Sequence, residues 1–193
     1  MQKVSKELLA AMGTGAVKYP PLKKREYDIS SLVDIIELVK VKENILATEL
    51  AKSMKTKMTG GKKLFDVWML EESDMIQATS KAYGERICLE KMLEAKESDV
   101  GVQNIIKRLT ALFAYHLVVQ DLVFYTRKGL LSGAQTQSTL DTFSVLIKEY
   151  APFVPDTVKS LGIEEHMIYA PIAKDWKEYN AGDNRGEVYA SKL

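Results

Sequence analysis

Two histidines, one cysteine and a run of lysines are the residues of this chain whose types could do more than pack. His116 and His166 lie far apart and neither has another His or Cys nearby. The converging spacing that zinc or iron requires is missing, and no metal site is assigned. His116 falls in a long apolar stretch, where a core or interface histidine outranks a base. His166 follows Glu164 and Glu165, where a solvated or capping role is favoured. Cys88 stands alone, which excludes an intrachain disulfide; with no histidine in register it reads as a small buried hydrophobe rather than a nucleophile. The run at 59–63, Thr-Gly-Gly-Lys-Lys, lacks the first glycine of a phosphate-binding loop and reads as a helix stop. With Lys52, Lys55 and Lys57 just before them, Lys62 and Lys63 could meet a phosphate-bearing ligand such as coenzyme A or a nucleotide, although a solvated cationic face is favoured. No Gly-x-Ser-x-Gly elbow or dinucleotide fingerprint occurs, and no pair of carboxylates stands out for acid and base roles. No catalytic residue is assigned, and cofactor-binding residues are left unknown.

The chain of 193 residues is long enough for one domain with a real core. Its 27 basic and 26 acidic residues nearly cancel, so no global field recruits nucleic acid or an anionic membrane. No apolar run approaches the length of a bilayer span, and the first residues, MQKVSKELLAAMG, are too short and too charged for a secretory signal. The last three residues, Ser191, Lys192 and Leu193, form the tripeptide read by the peroxisomal import receptor. The polar, glycine-containing residues 180–189 should leave it accessible. The expected location is the peroxisome matrix, with no nucleic-acid and no membrane partner.

The elements that must position these residues read as helices separated by brief punctuation, which makes the fold class all-α, a bundle of about five to six helices. Residues 1–27 form an N-terminal arm and linker, with a short helix around 4–12 and an extended connector containing Pro20 and Pro21. Residues 28–178 form the helical domain, and 179–193 a polar tail. Ser30 or Ser31 caps a helix running to about Lys57, with Leu32, Ile35, Ile36, Val39, Leu46, Leu50 and Met54 on its apolar stripe. The apolar segment 64–70, Leu-Phe-Asp-Val-Trp-Met-Leu, is too short to decide between helix and buried irregular chain. Ser73 and Asp74 open the next helix, whose core candidates are Met75, Ala78, Ala82, Ile87 and Leu93 and whose wet face carries Glu85, Arg86, Glu90 and Lys91. Gly84 within it suggests a close neighbouring helix. Ser98 and Asp99 start a long apolar helix that continues to Gly129 and should be the centre of the bundle. A helix over 140–150 follows, then a short one ending at Gly162, and a last one from Pro171 through Trp176.

Several of these segments share a pattern. Residues 152–180 contain Thr-Val-Lys-Ser-Leu-Gly-Ile-Glu at 157–164, Ala-Pro-Ile at 170–172, and Tyr179 with Asn180. Upstream stand Ser-Asp-Met-Ile-Gln-Ala-Thr-Ser-Lys-Ala-Tyr at 73–83 after the conspicuous Trp68, and the turn Gly-Leu-Leu-Ser-Gly at 129–133. Together with Ser191, Lys192 and Leu193, this set resembles the C-terminal domain of peroxisomal acyl-CoA oxidases, over nearly the whole chain from Tyr27. Thr157, Lys159 and Glu164 depart from the Leu, Asp and Pro common in that family.

The resemblance implies an FAD-dependent pathway step in fatty acid β-oxidation, in which an acyl-CoA is oxidised to the trans-2-enoyl-CoA and oxygen becomes hydrogen peroxide. It also implies that the flavin domains and catalytic glutamate lie upstream of the segment represented here, so the chain alone binds no FAD and is inactive. Partners implied are a second copy, or a heterodimer with an acyl-CoA oxidase. Phe65 and Trp68 are the candidate interface, set against the plainer reading that they fill the domain's own core. A stand-alone paralogue that dimerises with or escorts full-length oxidases, and a CoA- or lipid-binding helical module, are the alternatives.

Overall fold

The computed structural model describes residues 26–163, 165–168, 170, 173 and 175–183. The expected helix at 4–12, the connector after it, Pro171 and the terminal tripeptide lie outside the described residues. The described chain contains helices and no strand, as the periodicity predicts. The helices are α1 (Leu32–Thr59), α2 (Leu64–Asp66), α3 (Ser73–Glu94), α4 (Val100–Gln120), α5 (Leu122–Arg127), α6 (Gly133–Tyr150), α7 (Val154–Ser160) and α8 (Trp176–Asp183). Two compact units divide after Tyr150, within the range expected as one domain: the first holds α1 to α6 and the second holds α7 and α8.

Local chemistry explains most of the boundaries. The Asp99 side chain accepts the Val102 amide proton at 2.8 Å and caps α4, as expected. Asp34, in the first turn of α1, instead reaches back to the Asp28 amide at 2.8 Å, while Asp28 accepts from Ser30. Gly61, at φ 84°, takes the left-handed conformation that ends α1, and Gly129, at φ 66°, does the same after α5. Helix α6 starts earlier than expected because Ser132 and Gln135 form a capping box: Gln135 accepts from the Ser132 amide at 2.9 Å and its own amide donates to the Ser132 hydroxyl at 3.3 Å. The last helix begins at Trp176, where it was expected to end, because Asp175 accepts from the Lys177 and Glu178 amides.

The long helix expected to reach Gly129 breaks at Asp121, and a buried charge accompanies the break. Residues 41–45 of α1 (Val41, Lys42, Glu43, Asn44 and Ile45) are all buried, so α1 is enclosed on every side there. Lys42 is only 5 % exposed, and its ammonium bonds Glu85 of α3 at 3.0 Å and the carboxylate of Asp121 at the α4–α5 break. Glu43 meets the Arg86 guanidinium, which also bonds Glu90 at 2.7 Å; Lys40 approaches Glu90 at 3.7 Å. Glu85, Arg86 and Glu90, expected on a wet face, therefore form the ionic part of the α1–α3 contact. A buried charge is stable only when paired and hydrogen-bonded, which fixes these partners.

The main core gathers around this network: Ile35, Leu38, Val39, Leu89, Ala114, Leu117, Val118 and Tyr125 among others. Tyr115 donates to the Ile29 carbonyl at 2.6 Å and Gln135 to that of Tyr27 at 2.8 Å, which ties the start of the bundle to α4 and α6. The Tyr125 hydroxyl is buried without a hydrogen-bond partner, and burial holds its pKa far above the ordinary tyrosine value. On α3 the buried positions are Ile76, Thr79, Ala82 and Leu89, so the helix is rotated from its expected phase. Ala78 and Leu93 are exposed, and so is Cys88, expected to be buried: it lies about 100° around the helix from Leu89.

The close approach expected at Gly84 is absent, since a methyl group there would meet nothing within 4 Å. Gly84→Ala is expected to stabilise the chain by about 1 kcal/mol, the helix-propensity difference, in urea unfolding. Lys42→Met is expected to lower stability by about 2–3 kcal/mol in the same measurement, because Glu85 and Asp121 lose their counter-charge. It falls just below the roughly 3–5 kcal/mol of fully buried pairs because Asp121 keeps 31 % side-chain exposure.

Candidate functional site: an apolar turn held by an ionic clamp

Between α1 and α3 the segment 64–71 is almost wholly apolar, and it folds as α2 followed by a π-helical turn, Val67–Glu71. The turn closes with the Glu72 amide donating to the Val67 carbonyl at 2.9 Å, five residues back. Val67 is fully buried with Leu50, Met54 and Ile76 in a second core cluster, against which Trp68 and Met75 pack half-buried. One apolar segment cannot bury every face of a helical turn, so the rest points outward. Phe65 is 68 % exposed and Leu70 74 %, with Leu64 and Met69 about half exposed beside them. The two candidate interface residues thus differ: Phe65 is solvent-facing, while Trp68 is partly committed to the local core.

A set of ion pairs holds this turn in place. Lys57, near the end of α1, bonds Glu72 at 2.6 Å and Glu71 at 3.1 Å; Lys62 bonds Glu71 at 2.7 Å. The Ser53 hydroxyl donates to Glu72, which is only 5 % exposed. Hydrogen bonds from Lys57 and then Ser53 hold the Glu72 carboxyl below its ordinary range, and those from Lys62 and then Lys57 lower Glu71. The Lys57 ammonium is raised by Glu72 and then Glu71. Two of the lysines considered for a phosphate are therefore spent on carboxylates, while Lys52, Lys55 and Lys63 stay exposed on the surface.

His116 does not join this turn. It sits half-buried on α4 with its ring 6.0 Å from that of Phe143 and its Nε2 2.7 Å from the Gln120 amide nitrogen. His166 lies exposed in the second unit. Among the described residues no group of three His, Cys, Asp or Glu is placed to hold a metal ion, and no helix is long and apolar enough to cross a membrane. What the turn can do chemically is present an apolar surface at fixed geometry.

The family pattern described as acyl-CoA oxidase matches residues 31–175, from the capping position of α1 to the residue before α8. This chain belongs to the acyl-CoA oxidase family. Comparison with curated proteins finds no match. The family consists of oxidoreductases of lipid metabolism that depend on FAD and are typically peroxisomal. In this acyl-CoA oxidase domain Lys57 and Lys62 are neutralised by carboxylates and the orphaned Tyr125 hydroxyl is sealed at 0 % exposure, so none of these three offers a free group to a flavin.

The clamp predicts a pH dependence. A carboxyl whose folded pKa is depressed contributes stability that is present above its unfolded value, near 4.5 for Glu72, and is lost as pH falls through the lower folded value. The unfolding temperature should therefore drop between pH 5 and pH 3 more steeply in the wild type than in Glu72→Gln. Equal slopes would show that Glu72 is not linked to folding.

Proposed function

We propose that this chain is the C-terminal helical domain of a peroxisomal acyl-CoA oxidase, and that its own task is docking rather than catalysis. The observation that carries this reading is the exposed group Leu64, Phe65, Met69 and Leu70, four large apolar side chains held at fixed geometry by the Lys57, Lys62, Glu71 and Glu72 clamp. A rigid apolar patch rimmed by charges is the usual form of an interaction site. The patch covers part of the catalytic half, which supplies the FAD and the catalytic glutamate for oxidation of an acyl-CoA. Trp68 braces it from beneath through contact with the second core cluster. The terminal Ser191, Lys192 and Leu193 are recognised by the import receptor and carry the assembly into the peroxisome matrix.

The purified chain is expected to show no flavin absorbance and no peroxide formation with an acyl-CoA, and to bind the flavin-binding portion of an acyl-CoA oxidase in calorimetric titration. Leu70→Asp, which removes an exposed apolar contact without touching the core, should weaken that binding by about tenfold or more. Flavin retained with turnover, or binding indifferent to Leu70→Asp and Phe65→Asp, would overturn the reading.

A further inference from the structure

Tyr27 is buried in the main core although it belongs to no helix, and residues 27–31 enter the bundle as a short strap that turns into α1. Helices α4 and α6 hold this strap through side chains. The Tyr115 hydroxyl donates to the Ile29 carbonyl at 2.6 Å, and the Gln135 amide nitrogen donates to the Tyr27 carbonyl at 2.8 Å while the Gln135 oxygen accepts from the Ser132 amide. Within the strap the Asp28 carboxylate accepts from the Ser30 amide at 2.9 Å and from its hydroxyl at 2.7 Å, a turn that needs nothing from the helices.

The start of α1 carries the residues for a different arrangement. Ser31 stands at the capping position with Asp34 three residues on, the spacing of a capping box, in which each side chain accepts the other residue's backbone amide proton. That box is not made. The Ser31 side chain forms no cap bond, the Ser31 amide donates to the Asp28 carbonyl at 3.0 Å, and the Asp34 carboxylate accepts from the Asp28 amide at 2.8 Å.

We propose that residues 27–30 are a strap with two settings that compete for Asp34. Closed, Tyr27 fills its place in the core, Tyr115 and Gln135 latch two carbonyls, and Asp34 serves Asp28. Open, Asp28 lets go and Ser31 and Asp34 cap α1 with each other, so the helix end recovers hydrogen bonds that the strap gives up. This replacement makes opening a local event that leaves the bundle folded. The strap is where the chain before residue 27 joins the bundle. Its setting therefore decides whether that junction is held beside α4 and α6 or attached through α1 alone. None of the residues of the 64–71 turn takes part, so the strap stands independently of the docking proposed there.

Native-state hydrogen exchange of the full chain tests it, with the Asp28 amide as reporter because its bond to Asp34 exists only in the closed setting. In the wild type this amide should exchange at least tenfold faster than those of Ala82 and Leu89, which are buried on α3. Tyr115→Phe removes one latch and keeps the ring, and should speed Asp28 exchange about tenfold. Ser31→Ala removes a hydroxyl that the closed setting does not use and the open one needs. It should slow Asp28 exchange about fivefold while the Ala82 and Leu89 amides keep their rates. An Asp28 amide exchanging no faster than Ala82 and Leu89 would overturn the proposal, since the strap would then open only with the whole bundle. Asp28 exchange left unchanged by Tyr115→Phe, or left unchanged or made faster by Ser31→Ala, would overturn it as well.

Discussion

The burial of the Lys42 ammonium constrains this bundle more than any other single interaction. An unpaired cation in the centre of a three-helix contact would be too costly to keep, so a folded arrangement must deliver carboxylates to it. Glu85 comes from α3 and Asp121 from the junction of α4 and α5, and Glu43 one residue on takes Arg86. A slip of α3 by one turn along α1, about 5.4 Å, would strand all of these charges at once, so the network sets the axial register that apolar contacts alone leave loose. The break in the long apolar helix belongs to the same arrangement. Asp121 turns toward Lys42, and α5 then continues along α1 until Lys128 meets Glu49.

The same rule operates at the far end of α1 with a different result. There the lysines and carboxylates lie around an apolar turn, and their mutual neutralisation lets Val67 sink into a small core while Phe65 and Leu70 face water. Pairing with Glu71 and Glu72 makes Lys57 and Lys62 structural and takes them from any phosphate-bearing ligand. Charge there sets geometry, and apolar surface is left facing water.

Much of the fold could be read from local pattern. The helical period, the glycine stops at Gly61 and Gly129, the Asp99 cap and the family resemblance all depend on residues close in sequence, and the structure agrees with each. The boundaries that differ from expectation are local too: the Ser132 and Gln135 capping box and the Asp175 cap are short-range spacings that the apolar period does not weigh. The phase of α3 went wrong for a different reason. Ile76, Thr79, Ala82 and Leu89 define a face that includes a threonine and excludes Cys88, whereas hydrophobicity alone reads Cys88 as buried and gives Thr79 no place.

By itself the sequence determined that the chain is helical, where α1, α3 and α4 begin, and which family it belongs to, because these follow from near-neighbour periodicity and turn chemistry. Only the tertiary structure decided which charges are buried and which apolar residues are left outside. Lys42 finds Glu85 43 residues away and Asp121 79 residues away. A helical period tells which residues share a face, and it carries no information about what that face will meet.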